Sequence, residues 1–295
     1  MTAVRLSLQL FGIPAVEFPP LVELADARGF DTVWLADHVI TPVDFARAYP
    51  YNADGDPGYR ADTPLVDVAV TLSFLAARTR RIKLGTGVFI LPLRNPFHVA
   101  RAWGTLHDLS GGRAVFGIGT GWMAEEFAAV GADFGTRGRR TDEMLDVLDL
   151  LWSGQTVEYA GEFHRFAPVR FGGAPHAAVP IVVGGHADRA LRRAATRASG
   201  WFGPAVDLPS TLDFVRRIDR MRAQAGREHL PFTHYVRIFG DITVSNVERY
   251  RDAGLEHLVF APFTRLPRGA TAADRLAAVD EAADRLAPVL AGASS

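Results

Sequence analysis

The sequence predicts a closed (β/α)8 barrel, a TIM barrel of the α/β class. Two observations carry that reading: short apolar runs of strand character alternate with helical periodicity, and eight such units can be counted along the chain. The third is length. A chain of 295 residues suits one barrel with insertions, so residues 1–295 read as a single barrel domain.

The strand candidates, in order, are residues 4–11, 31–36, 82–91, 113–119, 179–184, 199–203, 234–242 and 256–261. The first, VRLSLQLF, alternates apolar with polar residues, whereas VPIVVG and RAVFGIG are nearly continuous apolar runs, as expected of parallel strands buried on both faces. Between them, FPPLVELADARGF places Leu21, Leu24, Ala25 and Arg28 on one helical face and stops at Gly29. In TDEMLDVLDLLW, Met144, Leu148, Leu151 and Trp152 form one stripe. Two segments fall outside the alternation. Residues 37–63 are an insertion rich in Gly, Pro and Tyr after the second strand, where active-site loops of a barrel lie, and residues 153–178 read as a β-hairpin before the fifth strand.

Composition excludes several classes of function. The formal net charge is −1 and no run of Lys or Arg exceeds three residues, so there is no footprint for nucleic acid or an anionic membrane. The absence of cysteine removes disulfides, thiolate metal sites and a thiol nucleophile, and points to a reducing compartment. The N-terminal stretch enters a strand pattern without a cleavable apolar segment, and no apolar run reaches membrane-spanning length, so a cytoplasmic enzyme acting on a small molecule is the expectation. Lys83 is the sole lysine, a bias that resembles coding from the GC-rich genomes of actinobacteria.

Four stretches carry chemistry. WLADHV sets Asp37 and His38 past the second strand, either a polar pair able to exchange a proton near neutral pH, with Asp37 a carboxylate that can orient the imidazole or raise its pKa, or a loop pair that only caps the next segment. The other histidines show no metal-binding spacing, so no metal site is read. IKLGTGVFIL keeps Gly85 and Gly87 inside a strand, which marks a bulge, an unusual peptide or a ligand pressed on the backbone. VFGIGTGWMAEEF has Gly117, Gly119 and Gly121 spaced G-x-G-x-G, which is no dinucleotide fingerprint; the glycines either admit a flat ligand, with Trp122 as a wall and Glu125 or Glu126 as a polar contact, or in part serve tight helix packing. VPIVVGGHADRALRRAA ends a strand in Gly184-Gly185 and opens a helix at once, an arrangement that suits a phosphate. Arg137, Arg139 and Arg140 in TRGRRTDE could hold the same phosphate or form a solvated basic turn.

Taken together, FDTVWLADHV, IKLGTGVFILPLRNP, HDLSGGRAVFGIGTGWMAEEFAAVG, RGRRTDEMLDVLDLLWSG, YAGEFHRF and VPIVVGGHADRALRRAA resemble the luciferase-like monooxygenase superfamily, and most closely its branch of oxidoreductases using the deazaflavin coenzyme F420. The resemblance is clear over residues 4–204 and holds beyond them in pattern only. It implies a non-prolyl cis peptide at Gly87-Val88, with Thr86 beside it, propping the back of the ring. It implies that Asp37 and His38 face the ring, His38 moving a proton or stabilising charge, and that Gly121, Trp122 and Glu125 line the ring and its polyol chain. Val183, Gly184, Gly185 and His186, with Arg139 and Arg140, fall to the phosphate. Some sugar-phosphate dehydrogenases of the branch carry an acidic proton donor where this chain has Trp122, which argues against that reaction here.

The implied function is hydride transfer between F420 and an organic substrate, with His38, Asp37 and Glu125 as the catalytic group. The alternative is a monooxygenase using reduced FMN delivered by a separate reductase. A barrel that only binds or carries its cofactor is the third reading, disfavoured by the intact Asp37, His38 and Gly-Gly turn. Phe45, Tyr49, Tyr51 and Tyr59 in the first insertion suggest an apolar or aromatic-tolerant substrate. Family habit adds a homodimer.

Overall fold

Parallel strands with both faces covered must bury one face against helices and the other against each other, and closure into a barrel meets both demands. The structure, a computed structural model, describes residues 4–45, 49–50, 54–267 and 269–290. Its strands are β1 (Arg5–Leu10), β2 (Thr32–Leu35), β3 (Lys83–Thr86), β4 (Phe89–Ile90), β5 (Ala114–Gly119), β6 (Thr156–Ala160), β7 (Arg165–Arg170), β8 (Ile181–Gly184), β9 (Gly200–Phe202), β10 (Thr233–Arg237) and β11 (His257–Phe260). Parallel pairing runs β3-β2-β1-β11-β10-β9-β8-β5-β4, and a further β3–β5 pairing closes the ring. With β3 and β4 counted as one interrupted stave, eight staves form the barrel, so the predicted fold class holds. The β6–β7 pair is a separate antiparallel hairpin lying between β5 and β8 in the chain.

The helices are α1 (Phe18–Ala27), α2 (Val68–Arg78), α3 (Pro96–Leu109), α4 (Ala124–Ala129), α5 (Arg137–Trp152), α6 (Asp188–Arg197), α7 (Leu208–Gln224), α8 (Val244–Asp252) and α9 (Ala272–Leu290). α1 buries Phe18, Leu21, Val22 and Ala25, while Leu24 lies at the edge and Arg28 reaches out to Asp280 and Asp284 of α9. The stripe read on α5 is buried as Met144, Leu148 and Leu151, widened by Leu145 and Val147. None of the helices among the described residues is long and apolar enough to cross a membrane.

Alternation decides which side chains enter the barrel. On β1 the apolar set Val4, Leu6, Leu8 and Leu10 packs outward in the main core with the helices. Ser7 and Gln9, two residues apart, therefore point to the barrel axis. The interior plug is Trp34, Val115, Val182, Phe202, Tyr235 and Val259, with Val88 packed on top. Trp34 meets Phe202 and Tyr235 at centroid distances of 4.9 and 4.7 Å.

The interior glycines follow from this crowding. A Cβ on Gly85 would lie 2.6 Å from the Trp34 ring, and one on Gly87 2.6 Å from Phe202. At Gly117 it would stand 1.8 Å from the Thr86 carbonyl oxygen. Gly119 and Gly184 each receive a methyl of Val88, at 2.5 Å from the missing Cβ. Gly117 and Gly119 thus admit neighbouring barrel side chains and backbone, where the sequence suggested room for a ligand. The peptide between Gly87 and Val88 is cis and interrupts the third stave there.

Two outcomes test these contacts. Gly117→Ala, which forces Cβ onto backbone, should cost at least about 3 kcal/mol, the upper end of ordinary overpacking. Gly172→Ala, where a Cβ meets nothing within 4 Å, should be neutral in the same urea titration. The second concerns His257, whose ring packs on Tyr235 at 5.2 Å. Burial pushes its imidazole from 6.5 down to about 4, against the opposing pull of Asp31. The unfolded chain therefore binds this proton first. Stability conferred by the neutral ring is complete above pH 6.5 and is lost as pH falls to about 4, a loss of about 3 kcal/mol that His257→Gln should remove from unfolding midpoints measured across that range.

Candidate active site

The C-terminal ends of the strands form the mouth where barrel enzymes hold their ligands. Asp37 and His38 leave β2 there, and as neighbours in extended chain they point to opposite sides. Asp37, 3 % exposed, turns outward. Its Oδ2 accepts the Ile90 amide at 3.0 Å and its Oδ1 accepts Arg94 Nη2 at 2.8 Å. Burial raises its carboxyl above the usual range, while Arg94 and the Ile90 amide pull it back. Asp37 therefore pins the segment after the cis peptide to the end of β2, and it does not orient the imidazole as the sequence suggested.

His38 turns inward, and its carboxylate partner is Glu126. Nδ1 lies 3.1 Å from Glu126 Oε2, and the other carboxylate oxygen accepts the Val39 amide at 2.7 Å. Nε2 lies 3.0 Å from the Tyr59 hydroxyl. Burial holds the Tyr59 phenol far above its ordinary range, with the charge of Glu126 adding to the effect, so Tyr59 is a hydroxyl donor. With Nδ1–H donating to Glu126 and Tyr59 O–H donating to Nε2, the three groups form one directed chain. Glu126 is fully buried. Glu125, the residue singled out from the sequence, is half-buried one position earlier on α4, and the contact with His38 belongs to Glu126.

The turn that delivers α4 requires Gly121, at φ +77°, where a Cβ would strike Ile90 and Phe127. Trp122 follows as a wall. Phe45 stacks on it at 5.9 Å, Tyr49 meets it edge-on at 5.2 Å, and the His38 ring lies 6.5 Å away. Phe11 packs on both His38 and Tyr59. The first insertion thus supplies an aromatic cover over His38; Tyr51 lies outside the described residues.

On the floor, Gln9 Nε2 donates to the Gly87 carbonyl at 2.9 Å, leaving Gln9 Oε1 buried and unpaired. Thr86 is fully buried and its hydroxyl is spent on the Gly117 carbonyl. Val183 packs in the shell outside the barrel, so only its backbone faces the mouth. Gly185, at φ +111°, accepts Trp201 Nε1 through its carbonyl at 2.7 Å. The cap residue of α6, Ala187, gives its amides no side-chain partner. His186 packs by Phe214, and burial lowers its imidazole pKa. Arg139 is claimed by Glu162, and both Arg139 and Arg140 lie over Phe163 in the hairpin turn. These contacts attach the arginines to the β6–β7 hairpin, and among the described residues neither bonds to the Gly184-Gly185 turn.

The sequence of the luciferase-like monooxygenase family, as a model, matches residues 9–290. The chain belongs to that family. A protein of Mycobacterium tuberculosis is 35% identical over 252 residues, 84% of this chain and 86% of its own length. The F420-dependent glucose-6-phosphate dehydrogenase of Kineococcus radiotolerans is 33% identical over 193 residues, 63% of this chain and 52% of that one. Among solved structures, an F420-dependent secondary alcohol dehydrogenase holding an F420-acetone adduct superposes over the full length of both chains with a TM-score of 0.78 at 15% identity.

The residues at this mouth fit a family cofactor. An unpaired buried acceptor at Gln9 Oε1, aromatic walls, and uncapped amides at α6 suit a flat polar ring carrying a phosphate-bearing tail.

Asp37 and Glu126 can be separated by experiment. Asp37→Ala, which strands the Arg94 guanidinium, should cost about 3 kcal/mol in denaturant unfolding. Glu126→Gln should cost less, but its amide, turned toward Nδ1 while Oε1 keeps the Val39 amide, should drive the imidazole proton to Nε2. Nitrogen NMR of labelled His38 reads that tautomer directly, and an unchanged Nδ1–H would refute the assigned chain.

Proposed function

We propose that this protein is an F420-dependent oxidoreductase that transfers a hydride between the coenzyme and an organic substrate in the barrel mouth. The observation that carries the reading is the directed chain from Glu126 through His38 to Tyr59, set at the open end of the barrel beside the Gln9-Gly87 floor. Relatives bearing F420-dependent names support the choice of coenzyme.

The deazaflavin, when bound, supplies the two-electron chemistry. This chain supplies placement, a dry site and a proton. Gln9 and the Gly87-Val88 backbone would hold the ring, and the amides after Gly184-Gly185 would hold the phosphate. Phe45, Tyr49 and Trp122 exclude water, which strengthens every polar contact beneath them. Adding a hydride to a carbonyl leaves an oxyanion that needs a proton, and removing one from an alcohol requires the proton to go elsewhere. The Tyr59 hydroxyl passes that proton between the substrate oxygen and His38 Nε2, to which it is hydrogen-bonded, while Glu126 at Nδ1 stabilises the charged ring.

Two measurements test this. In a ring-fluorescence titration, F420 should bind at least tenfold tighter than FMN, a difference of about 1.4 kcal/mol. Tighter binding of FMN would favour the reductase-dependent monooxygenase. His38→Ala should slow single-turnover hydride transfer about 10²- to 10⁴-fold while coenzyme affinity falls much less. A rate within a few-fold of wild type would remove His38 from the chemistry.

A further inference from the structure

Arg237 is the last residue of β10 and has no part in the chemistry assigned above. It follows Tyr235 by two positions, and Tyr235 belongs to the plug inside the barrel. The residues on either side of Arg237, Val236 and Ile238, pack in the outer shell. Arg237 therefore points into the barrel at its C-terminal end. Its surroundings agree: among the described residues the charged or titratable group that acts on it is the Tyr49 phenol, and Tyr49 lies against Trp122 in the aromatic cover over His38. Burial lowers the pKa of this guanidinium, with Tyr49 opposing.

No carboxylate pairs with Arg237 among the described residues, whereas other arginines around the barrel are matched, Arg94 by Asp37, Arg60 by Asp56 and Arg265 by Asp241. A buried cation without a counter-charge costs stability. It is retained where something else completes the pair.

The geometry points to an oxyanion subsite at Arg237, so that the substrate reduced or oxidised beneath Trp122 carries a carboxylate or phosphate group that docks on this guanidinium beside Tyr49. The planar fork of arginine matches such oxygens two at a time, and the aromatic surroundings strengthen the pairing. Docking there fixes one end of the substrate and leaves the reacting carbon to be set against His38. The assignment rests on the mouth being the substrate site. It does not depend on which flavin-type cofactor is used.

The test uses the full chain, with and without saturating F420, and three probes of one shape: benzoate, phenyl phosphate and benzyl alcohol, followed by calorimetry. Wild type should bind at least one of the two anions tenfold or more tighter than benzyl alcohol, and whichever anion wins identifies the oxyanion. Arg237→Met should bind all three alike, and Arg237→Lys should restore part of the preference. Because the guanidinium has no carboxylate partner among the described residues, the Met variant should melt at or above the wild-type temperature. Three results would each overturn the inference: no anion preference in wild type, a preference that survives in Arg237→Met, or a lowered melting temperature in both variants. It is also overturned if benzoate competes with F420 and Arg237→Met weakens F420 tenfold, since Arg237 then serves the coenzyme. A preference for FMN over F420 would upset the cofactor assignment alone.

Discussion

At the centre of this barrel the third and fourth staves come so close that the Thr86 carbonyl occupies the place of a side chain on Gly117. Much else depends on that approach. The interior cannot hold Trp34, Phe202 and Tyr235 together with a full set of side chains on β3 and β5, so glycine appears wherever a ring or a carbonyl intrudes. Val88 then lies across the top of the plug with a methyl toward Gly119 and another toward Gly184. Three staves are locked to one another by a single isopropyl group, and the surface they leave is the floor of the mouth.

Above that floor, one dipeptide organises two loops. Because successive residues of an extended chain face opposite ways, Asp37 reaches out to Ile90 and Arg94 while His38 reaches in to Glu126 and Tyr59. Ile90 in turn packs with Phe127 of α4, the helix that carries Glu126. The outward contact thus fixes the height of α4, and through it the position of the inward one. Buried carboxylates serve the same purpose elsewhere: Asp26 accepts the amides of Arg80, Arg81 and Ile82, and Glu143 those of Glu162, Phe163 and His164.

The staves were legible in the sequence because apolar runs and helical periodicity are local signals, and each predicted strand overlaps an observed one. The tenth strand, expected to reach residue 242, ends at Arg237, short of Gly240 at φ +84°. At the site, His38 and Trp122 could be found because motif and position agree. Glu126 could not be told from Glu125, since one residue on a short helix is a rotation that only tertiary packing sets. Gln9 and Arg237 were missed for a shared reason. On β1 the apolar alternation marks the outer face, so the polar residues that look solvent-directed in sequence are those that line the axis. Tyr59 carried no signal as a partner of His38, because a distant loop brings it there.

Under the proposed function, the docking of Tyr59 on His38 would bind substrate choice to proton chemistry. In many barrels the loops that select a ligand are separate from the groups that react, and selection can drift while the reaction is preserved. Here the insertion that walls the pocket also donates the hydrogen bond to Nε2. Grafting a different insertion to alter the range of accepted molecules would therefore also remove the hydrogen bond that holds the imidazole. Variants of this family that trade this loop must either keep a donor at the position of Tyr59 or find another partner for the histidine, which makes that single hydroxyl a constraint on how the pocket can diversify.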